Sequence, residues 1–456
     1  MVEETTIIGI ATPPGYGGIG VIRLSGPESL QIIKVLLVTD TTSKFTPNRV
    51  TLHRLQHPDS QEILDEALIT YFQAPHSFTG EDVVEISCHG SPVILSEIVR
   101  LLVSAGATLA APGEFTMRAF LNQRIDLTQA EAINDLIHSQ TQYQAKLAAR
   151  QLNGELSSQL KTIKNSLIEM IVFFESAIEF VEDDLDTLDI ERFQYQLSQL
   201  IGNINQMIDS YRYGRLVRSG IKMALIGLPN VGKSSIFNAL IGKDRAIVTP
   251  IPGTTRDTII EQFSINGIPV ELIDTAGIRE TEELIEKIGI ERTRSAISDA
   301  DFVIAVLDGH TQSSLDELKF LSQIPFQLLV INKIDMVREL TEGLINELTS
   351  EIPVLYVSAL TGEGIDSLRE KIYTSLTHIN PLTSDNGIIT NERHYNALVL
   401  SLDALVQSHN DLNAGCSEEI VLVNLHESLR CLGIVTGETL LGDILNQIFS
   451  TFCIGK

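Results

Sequence analysis

The stretch GLPNVGKSS, which begins at Gly227, has the residue types and spacing of a phosphate-binding loop. It matches G-x-x-x-x-G-K-[ST] and lies between a strand-like run, IKMALIG, and a helical pattern, SSIFNALIG. Glycines let backbone N–H groups close around phosphate oxygens, Lys233 can reach the β- and γ-phosphates, and the Ser234 hydroxyl can coordinate Mg²⁺. The sequence therefore predicts a nucleotide site on a strand–loop–helix unit.

Two motifs that sense the phosphates follow in the expected order. PGTTRD supplies Thr254 and Thr255, the segment that responds to the γ-phosphate and the metal, with Thr255 as a second Mg²⁺ ligand. DTAG places Asp274 at the end of a strand, where it reaches Mg²⁺ through water, and Gly277 donates to the γ-phosphate.

The choice of base is read from NKID and SAL. Asn332 and Asp335 belong to NKID, and Ser358 opens SAL. A carboxylate at Asp335 can accept from the N1–H and the 2-amino group of guanine, whereas adenine has no such donors. The motifs therefore predict a GTPase and exclude a generic ATPase. The predicted GTP-binding residues are Asn230, Val231, Gly232, Lys233, Ser234, Ser235, Thr249, Pro250, Ile251, Pro252, Gly253, Thr254, Thr255, Asp274, Thr275, Ala276, Gly277, Asn332, Lys333, Asp335, Ser358 and Ala359.

One position departs from the Ras pattern. Ile278 follows DTAG, where Ras carries the glutamine that orients the attacking water. An aliphatic side chain cannot hold a nucleophile, so another group must do so. The acidic stretch that follows leaves four candidates open: Glu280, Glu282, Glu283 and Glu286.

Composition limits the class of protein. A chain of 456 residues with 43% hydrophobic and 20% charged residues predicts an ordered protein of two to four domains. A net charge of −26 argues against indiscriminate coating of nucleic acid, so any RNA contact must come from a local basic patch or from a partner. The four cysteines are far apart and include no C-x-x-C pair, which disfavours a zinc site and favours a reducing cytosol. The apolar stretch from Leu167 carries three glutamates, so we expect no membrane span and a cytoplasmic protein.

Three textures follow one another along the chain. The first ~120 residues alternate strand-like runs with Gly/Pro turns and predict a small α/β unit. Residues 126–210 have a helical period, and residues 220–377 alternate apolar strands with helical segments, which predicts a doubly wound parallel sheet. The helical texture returns after Pro381, so the simplest arrangement packs both helical stretches together and makes the α/β domain an insertion.

Taken together, these segments resemble the MnmE (TrmE) family of tRNA-modification GTPases. The likeness covers essentially the whole chain and rests on ATPPGYGGIGVIRLSG, SFTGEDVVE, PGEFTMRAFLNQRIDLTQAEA, the GTPase motifs and the terminal CIGK. The resemblance implies a multidomain α/β plus α fold with an N-terminal α/β folate-binding domain, a discontinuous helical domain and an inserted Ras-like P-loop GTPase domain. We expect the N-terminal folate-binding and dimerisation domain at 1–122, the helical domain at 123–215 and 379–456, and the G domain at 216–378.

The resemblance also implies an activity. Family members act with a flavoprotein, MnmG, as a heterotetramer to install an aminomethyl or carboxymethylaminomethyl group at carbon 5 of the wobble uridine of certain tRNAs. The one-carbon unit is folate-linked, with 5-formyltetrahydrofolate or a related folate as the cofactor. GTP hydrolysis depends on K⁺, which by this likeness is held by Asn230, Thr249, Ile251 and Thr254, and Glu286 matches the catalytic glutamate. The resemblance further implies a homodimer.

The cysteine in FCIGK has an alternative interpretation as a prenylation box, which Gly455 and the terminal lysine fit poorly. The resemblance instead brings this ending to a folate site formed by Arg23, Glu81, Arg124 and Lys456, with Cys453 as a candidate nucleophile or proton donor. Two other functions compete. A ribosome-assembly GTPase of the Era or Der type would lack the N-terminal motifs, and a signalling switch would turn over slowly.

Overall fold

A computed structural model describes residues 5–38, 45–179, 187–242, 261–273, 300–309, 321, 324–336, 352–377, 387–439, 442–453 and 455. The chain forms two compact units. The first consists of Met1–Asn134, Gln151–Asn165 and Leu429–Lys456, and the second of Asp135–Arg150 and Ser166–Ser428.

The first unit is built on a six-stranded sheet in the order β3-β4-β5-β2-β1-β6. Its strands and helices, in chain order, are β1 (Ile7–Ile10), β2 (Gly17–Ser25), α1 (Ser29–Ile33), β3 (Val50–Gln56), β4 (Ile63–Phe72), β5 (Val83–Gly90), α2 (Pro92–Ser104), β6 (Thr108–Leu109) and α3 (Glu114–Leu121). Only β1 and β6 pair in parallel.

Alternating side chains explain why this sheet is covered on one face. On β2 and β5, Ile22, Leu24 and Ile86 are fully buried, and they pack with Ile98 and Leu102 of α2. Pro92 suits the first turn of α2, because a backbone N–H at that position would have no partner within the helix and none is lost when proline lacks it. The predicted α/β unit with strands separated by turns is confirmed, while β3 was not predicted as a strand.

The opposite face of β3 and β4 carries apolar side chains that stay exposed. Leu52 lies directly across from Leu68, and the two side chains are 66% and 45% exposed. Val50 is also exposed on this face, and the adjacent Arg54 and Glu66 form an ion pair at 2.7 Å.

The parallel sheet of the second unit has the order β12-β11-β10-β7-β9-β8, with only β8 antiparallel. Its strands are β7 (Ile221–Ile226), β8 (Glu261–Ile265), β9 (Ile268–Ile273), β10 (Phe302–Asp308), β11 (Leu328–Asn332) and β12 (Val354–Tyr356), with α8 (Lys233–Ile241) after β7 and α9 (Ile365–Thr377) after β12. Every residue of β10 and β11 is buried, as a sheet covered on both faces requires. The predicted doubly wound sheet is confirmed.

The described residues also form seven further α-helices. They are α4 (Leu127–Ile137), α5 (Gln142–Leu152), α6 (Glu155–Glu179), α7 (Thr187–Ser219), α10 (Glu392–Asn413), α11 (Glu418–Thr436) and α12 (Gly442–Phe449). Within the second unit α7 packs against α10. In the sequence, α7 precedes the strands of the parallel sheet and α10 follows them. Among the described residues, no helix is both long and apolar enough to cross a bilayer.

A close backbone approach fixes one point of the second unit. Gly214 on α7 lies against Ile388 and the carbonyl of Ile389, where a Cβ would collide with main-chain atoms. Ser210 lies on the same helix, and its hydroxyl accepts a hydrogen bond from the backbone N–H of Ile389 at 3.0 Å. The helix and the segment at Ile388 and Ile389 are therefore held together by a close main-chain approach and by a hydrogen bond from the backbone to a side chain.

We predict that Gly214→Ala lowers the free energy of unfolding by about 1–3 kcal/mol, because the main chain at Ile389 must move to admit a methyl group. Gly202→Ala is the matched control, since it lies on the same helix with no atom within 4 Å of the added Cβ. That change is expected to be neutral or to stabilise by up to about 1 kcal/mol. Urea unfolding of both variants measures the difference, and equal effects would contradict the close-approach interpretation.

Candidate GTPase and folate sites

The phosphate-binding loop leaves the carboxyl end of β7, as the sequence predicts. Gly227 and Gly232 have φ angles of 149° and 93°, which favour glycine, and Gly232 is the N-cap of α8. The Lys233 ammonium donates to the carbonyls of Gly227 and Leu228, both at 2.9 Å, and so lies across the loop. Ser234 and Ser235 are exposed in the first turn of α8. Loop N–H groups and a helix N-terminus suit a polyphosphate, and the Ser234 hydroxyl suits Mg²⁺.

Asn332 connects the phosphate loop to the base loop. Its side chain is 2% exposed; the amide donates to the carbonyl of Val231 at 3.0 Å and accepts the N–H of Ala359 at 3.1 Å. Gly232 lies so close to this amide that any side chain there would displace it. One buried side chain thus holds both loops at the carboxyl edge of the parallel strands.

The base loop is organised around Asp335 and Lys333. The Ser358 hydroxyl donates to the Asp335 carboxylate at 2.6 Å, which orients that carboxylate and leaves it further lone pairs for a ligand. Lys333 donates to the carbonyl of Asn230 at 2.8 Å and pairs with Asp308 at 2.6 Å. Sequence reasoning missed Asp308, although its place at the end of a buried strand was a signal.

The structure brings together the predicted site residues at positions 230–235, 332, 333, 335, 358 and 359. The other predicted residues of this site lie outside the described residues. They are Thr249, Pro250, Ile251, Pro252, Gly253, Thr254, Thr255, Asp274, Thr275, Ala276, Gly277 and Glu286.

A second polar site lies in the first unit, where Arg23 meets the chain terminus. Its guanidinium donates twice to Glu85, at 2.6 and 2.9 Å, and to the carbonyl of Gly455 at 3.4 Å. The same guanidinium lies over the rings of Phe78 and Phe115, at 5.6 and 5.8 Å from their centroids. Gly455 also packs against the main chain of β1.

Glu81 belongs to a neighbouring network. Its carboxylate accepts the Ser25 hydroxyl at 2.7 Å and lies 3.3 Å from the guanidinium of Arg118, which is 2% exposed and also pairs with Glu114. Sequence reasoning missed Arg118 and Glu85; a glutamate at Glu114 one helical turn before Arg118 was an available signal.

The remaining predicted folate-site residues differ in placement. Arg124 is exposed, and its side chain lies beside Gly80, in the same loop as Glu81. Cys453 is exposed, and its carbonyl accepts the N–H of Gly113 at 3.2 Å. Lys456 lies outside the described residues.

Comparison with known proteins places this arrangement in a family. A model described as the MnmE helical domain matches residues 127–453, and one described as the N-terminus of the GTP-binding protein TrmE matches residues 6–124. A tRNA modification GTPase MnmE from Koribacter versatilis is 45% identical over 457 residues, covering 99% of both chains. Another, from Natranaerobius thermophilus, is 40% identical over 99% of this chain and 100% of its own. The chain belongs to the MnmE (TrmE) family of tRNA modification GTPases.

The match of one MnmE helical-domain model across residues 127–453, a range that includes β7–β12, agrees with a helical domain that the parallel sheet interrupts. Among solved structures, the chain is also similar to the G domain of the T. maritima FeoB iron transporter, at 32% identity over 34% of this chain and 96% of that one. The TM-score of that pair, 0.26, is too low to establish a shared fold.

Proposed function

We propose that this MnmE-family GTPase hydrolyses GTP with Mg²⁺ and K⁺ and acts as a homodimer. With an MnmG-type flavoprotein it would modify carbon 5 of the wobble uridine of tRNA, adding an aminomethyl or carboxymethylaminomethyl group from a folate-linked one-carbon unit. The proposal includes a cytoplasmic location and the domain limits given above. Its main support is full-length similarity to tRNA modification GTPases together with the Asn332-centred nucleotide site.

The proposed K⁺ site includes Asn230. This residue has a φ of 66° in the phosphate loop, its carbonyl is held by Lys333, and its side chain is exposed. K⁺ bound there would supply positive charge to the transition state in the place of an arginine finger. Further oxygens would come from Thr249, Ile251 and Thr254, and Glu286 would position the attacking water.

We predict that kcat for GTP is at least about tenfold higher in KCl than in NaCl, and that Asn230→Ala removes most of that difference. Asn266→Ala is the matched control, because Asn266 also has a positive φ, 49°, in an exposed turn of the same unit. Glu286→Ala should lower kcat by about a hundredfold with nearly unchanged GTP affinity, because the residue acts on water and not on the base. Equal wild-type rates in the two salts would refute the K⁺ proposal.

The homodimer is supported by the exposed apolar face of β3 and β4. Since Leu52 and Leu68 form a cross-strand pair on that face, a second copy of the chain could cover both. We predict a dimer at micromolar concentration without nucleotide, and at least a tenfold weaker dimer in Leu52→Glu, because burying a carboxylate is unfavourable. Val93→Glu is the control, since Val93 is 75% exposed on α2. Sedimentation equilibrium decides, and a wild-type monomer would contradict the proposal.

The folate proposal rests on the surroundings of Arg23. A pterin ring needs paired donors and acceptors, and a glutamate tail needs cations. In the first unit Arg23 supplies a cation with hydrogen-bond donors, and Glu81 supplies a hydrogen-bond acceptor. Arg124 lies beside the loop that carries Glu81, and Cys453, which comes after α12 in the chain, belongs to the same unit. Lys456 is the fourth proposed contact. We propose that 5-formyltetrahydrofolate binds here and that Cys453 acts in the modification step.

We predict that Cys453→Ser abolishes wobble-uridine modification by the reconstituted flavoprotein complex while GTP hydrolysis continues, because the cysteine and the phosphate loop belong to different units. Cys416→Ser is the matched control, as Cys416 is a free cysteine of the second unit. Calorimetry with 5-formyltetrahydrofolate should show loss of binding in Arg23→Ala but not in Arg54→Ala, where the arginine pairs with an exposed glutamate. Normal modification by Cys453→Ser would rule out the proposed role of the cysteine.

A further inference from the structure

A large cleft in the second unit lies at the amino ends of the parallel strands, whereas the nucleotide site lies at their carboxyl ends. Its volume is about 1010 Å³. Ile221, which begins β7, Pro269 near the start of β9, and Asp301 just before β10 all line it. The phosphate loop, in contrast, follows the carboxyl end of β7. The cleft is therefore separate from the GTP site, and none of the predicted site residues lines it.

Two arginines on one face of α7 line this cleft. Arg212 and Arg215 are three residues apart, so their side chains project from neighbouring turns of the helix, and both are exposed. Within the part of the chain that the structure describes, neither guanidinium makes a hydrogen bond or an ion pair. Arg218, further along the helix, is instead paired with Asp135 at 2.9 Å.

Two acidic residues that line the cleft lie beside Lys222. The Asp301 carboxylate accepts the backbone N–H of Lys222 at 2.9 Å, and Glu271 lies directly across the β7–β9 ladder from Lys222. The residues that line the cleft thus include three cations, Arg212, Arg215 and Lys222, against these two carboxylates. In a chain of net charge −26, such a patch is where a polyanion would meet the least repulsion.

An aromatic pair completes the cleft. The rings of Tyr211 and Tyr395 stack with centroids 4.3 Å apart and an interplanar angle of 21°, and both residues line the cleft. Burial and the nearby Glu392 raise the pKa of Tyr211, although Arg215 and Arg218 oppose this shift. The stacked rings therefore give the cleft a flat aromatic surface beside the two arginines.

Arginines next to a stacked aromatic pair have the chemistry of a site for RNA with unpaired bases. Guanidinium groups bind phosphate oxygens in a fork geometry, and aromatic rings stack on exposed bases. A free phosphate would occupy only a small part of a cleft of this size. We propose that the cleft binds tRNA, with backbone phosphates on Arg212 and Arg215 and an unpaired base on the Tyr211–Tyr395 pair. This proposal rests on the tRNA-modification function and adds the contact surface on this chain.

The test measures binding of an unmodified tRNA transcript to the full-length protein by fluorescence anisotropy over a range of KCl concentrations. The double variant Arg212→Ser/Arg215→Ser should weaken binding at least about tenfold near 0.1 M salt. It should also make the negative slope of log K against log[salt] less steep by about 1.4–1.8, as expected for two lost phosphate contacts. Tyr395→Leu should weaken binding about fivefold or more at an unchanged slope, because the ring carries no charge.

The matched control is Arg192→Ser/Lys161→Ser, which removes two exposed positive charges elsewhere and gives the same net charge. Thermal unfolding and GDP binding of each variant check that it is folded. Equal weakening by the control and the test pair, or unchanged binding in the test pair, would overturn the proposal. The measured quantity is tRNA affinity, which depends neither on K⁺ stimulation of GTP hydrolysis nor on the folate step. A failure of the proposed tRNA site can therefore be distinguished from a failure of the proposed modification function.

Discussion

The nucleotide site depends on one buried amide. The Asn332 amide donates to Val231 in the phosphate loop and accepts from Ala359 in the base loop, so it uses its donor and its acceptor at once. A buried polar group is costly unless it is hydrogen-bonded, so the side chain stabilises the site only while both loops hold their positions. Phosphate recognition and base recognition are therefore coupled through a side chain that, at 2% exposure, is itself nearly closed to solvent.

The site in the first unit is organised by arginines in a different way. Arg118 is almost fully buried and binds Glu81, Glu114 and the carbonyl of Thr5, so it holds several parts of the chain around one cation. Arg23 is less buried and divides its donors between Glu85 and the terminal segment. The deeper arginine holds Glu81 in place, while the outer one joins Glu85 on β5 to the segment around Gly455.

The sequence predicted local structure well where one pattern determines one outcome. The fully apolar β10 and β11 could only be strands of a covered sheet, and the phosphate loop followed β7 as its motif requires. Side-chain partners were harder to predict. The pairing of Arg23 with Glu85, and of Asp308 with Lys333, depends on strand register and on loop geometry, which no single segment specifies. The strand β3 was missed for a related reason. Its apolar Val50 and Leu52 are exposed while its polar Thr51 and His53 are half-buried, which is the reverse of the usual strand pattern.

The hydrogen bond from Arg23 to Gly455 joins residues 432 positions apart. At a synthesis rate of about 5–20 residues per second, the ribosome would add the second partner roughly 20–90 s after the first. The sheet of the first unit can pair its strands during that interval, but the polar site around Arg23 must wait for Gly455. Until then the nascent chain carries Arg23 without this hydrogen bond, and a chaperone present in that period would meet a surface that the Gly455 segment later covers.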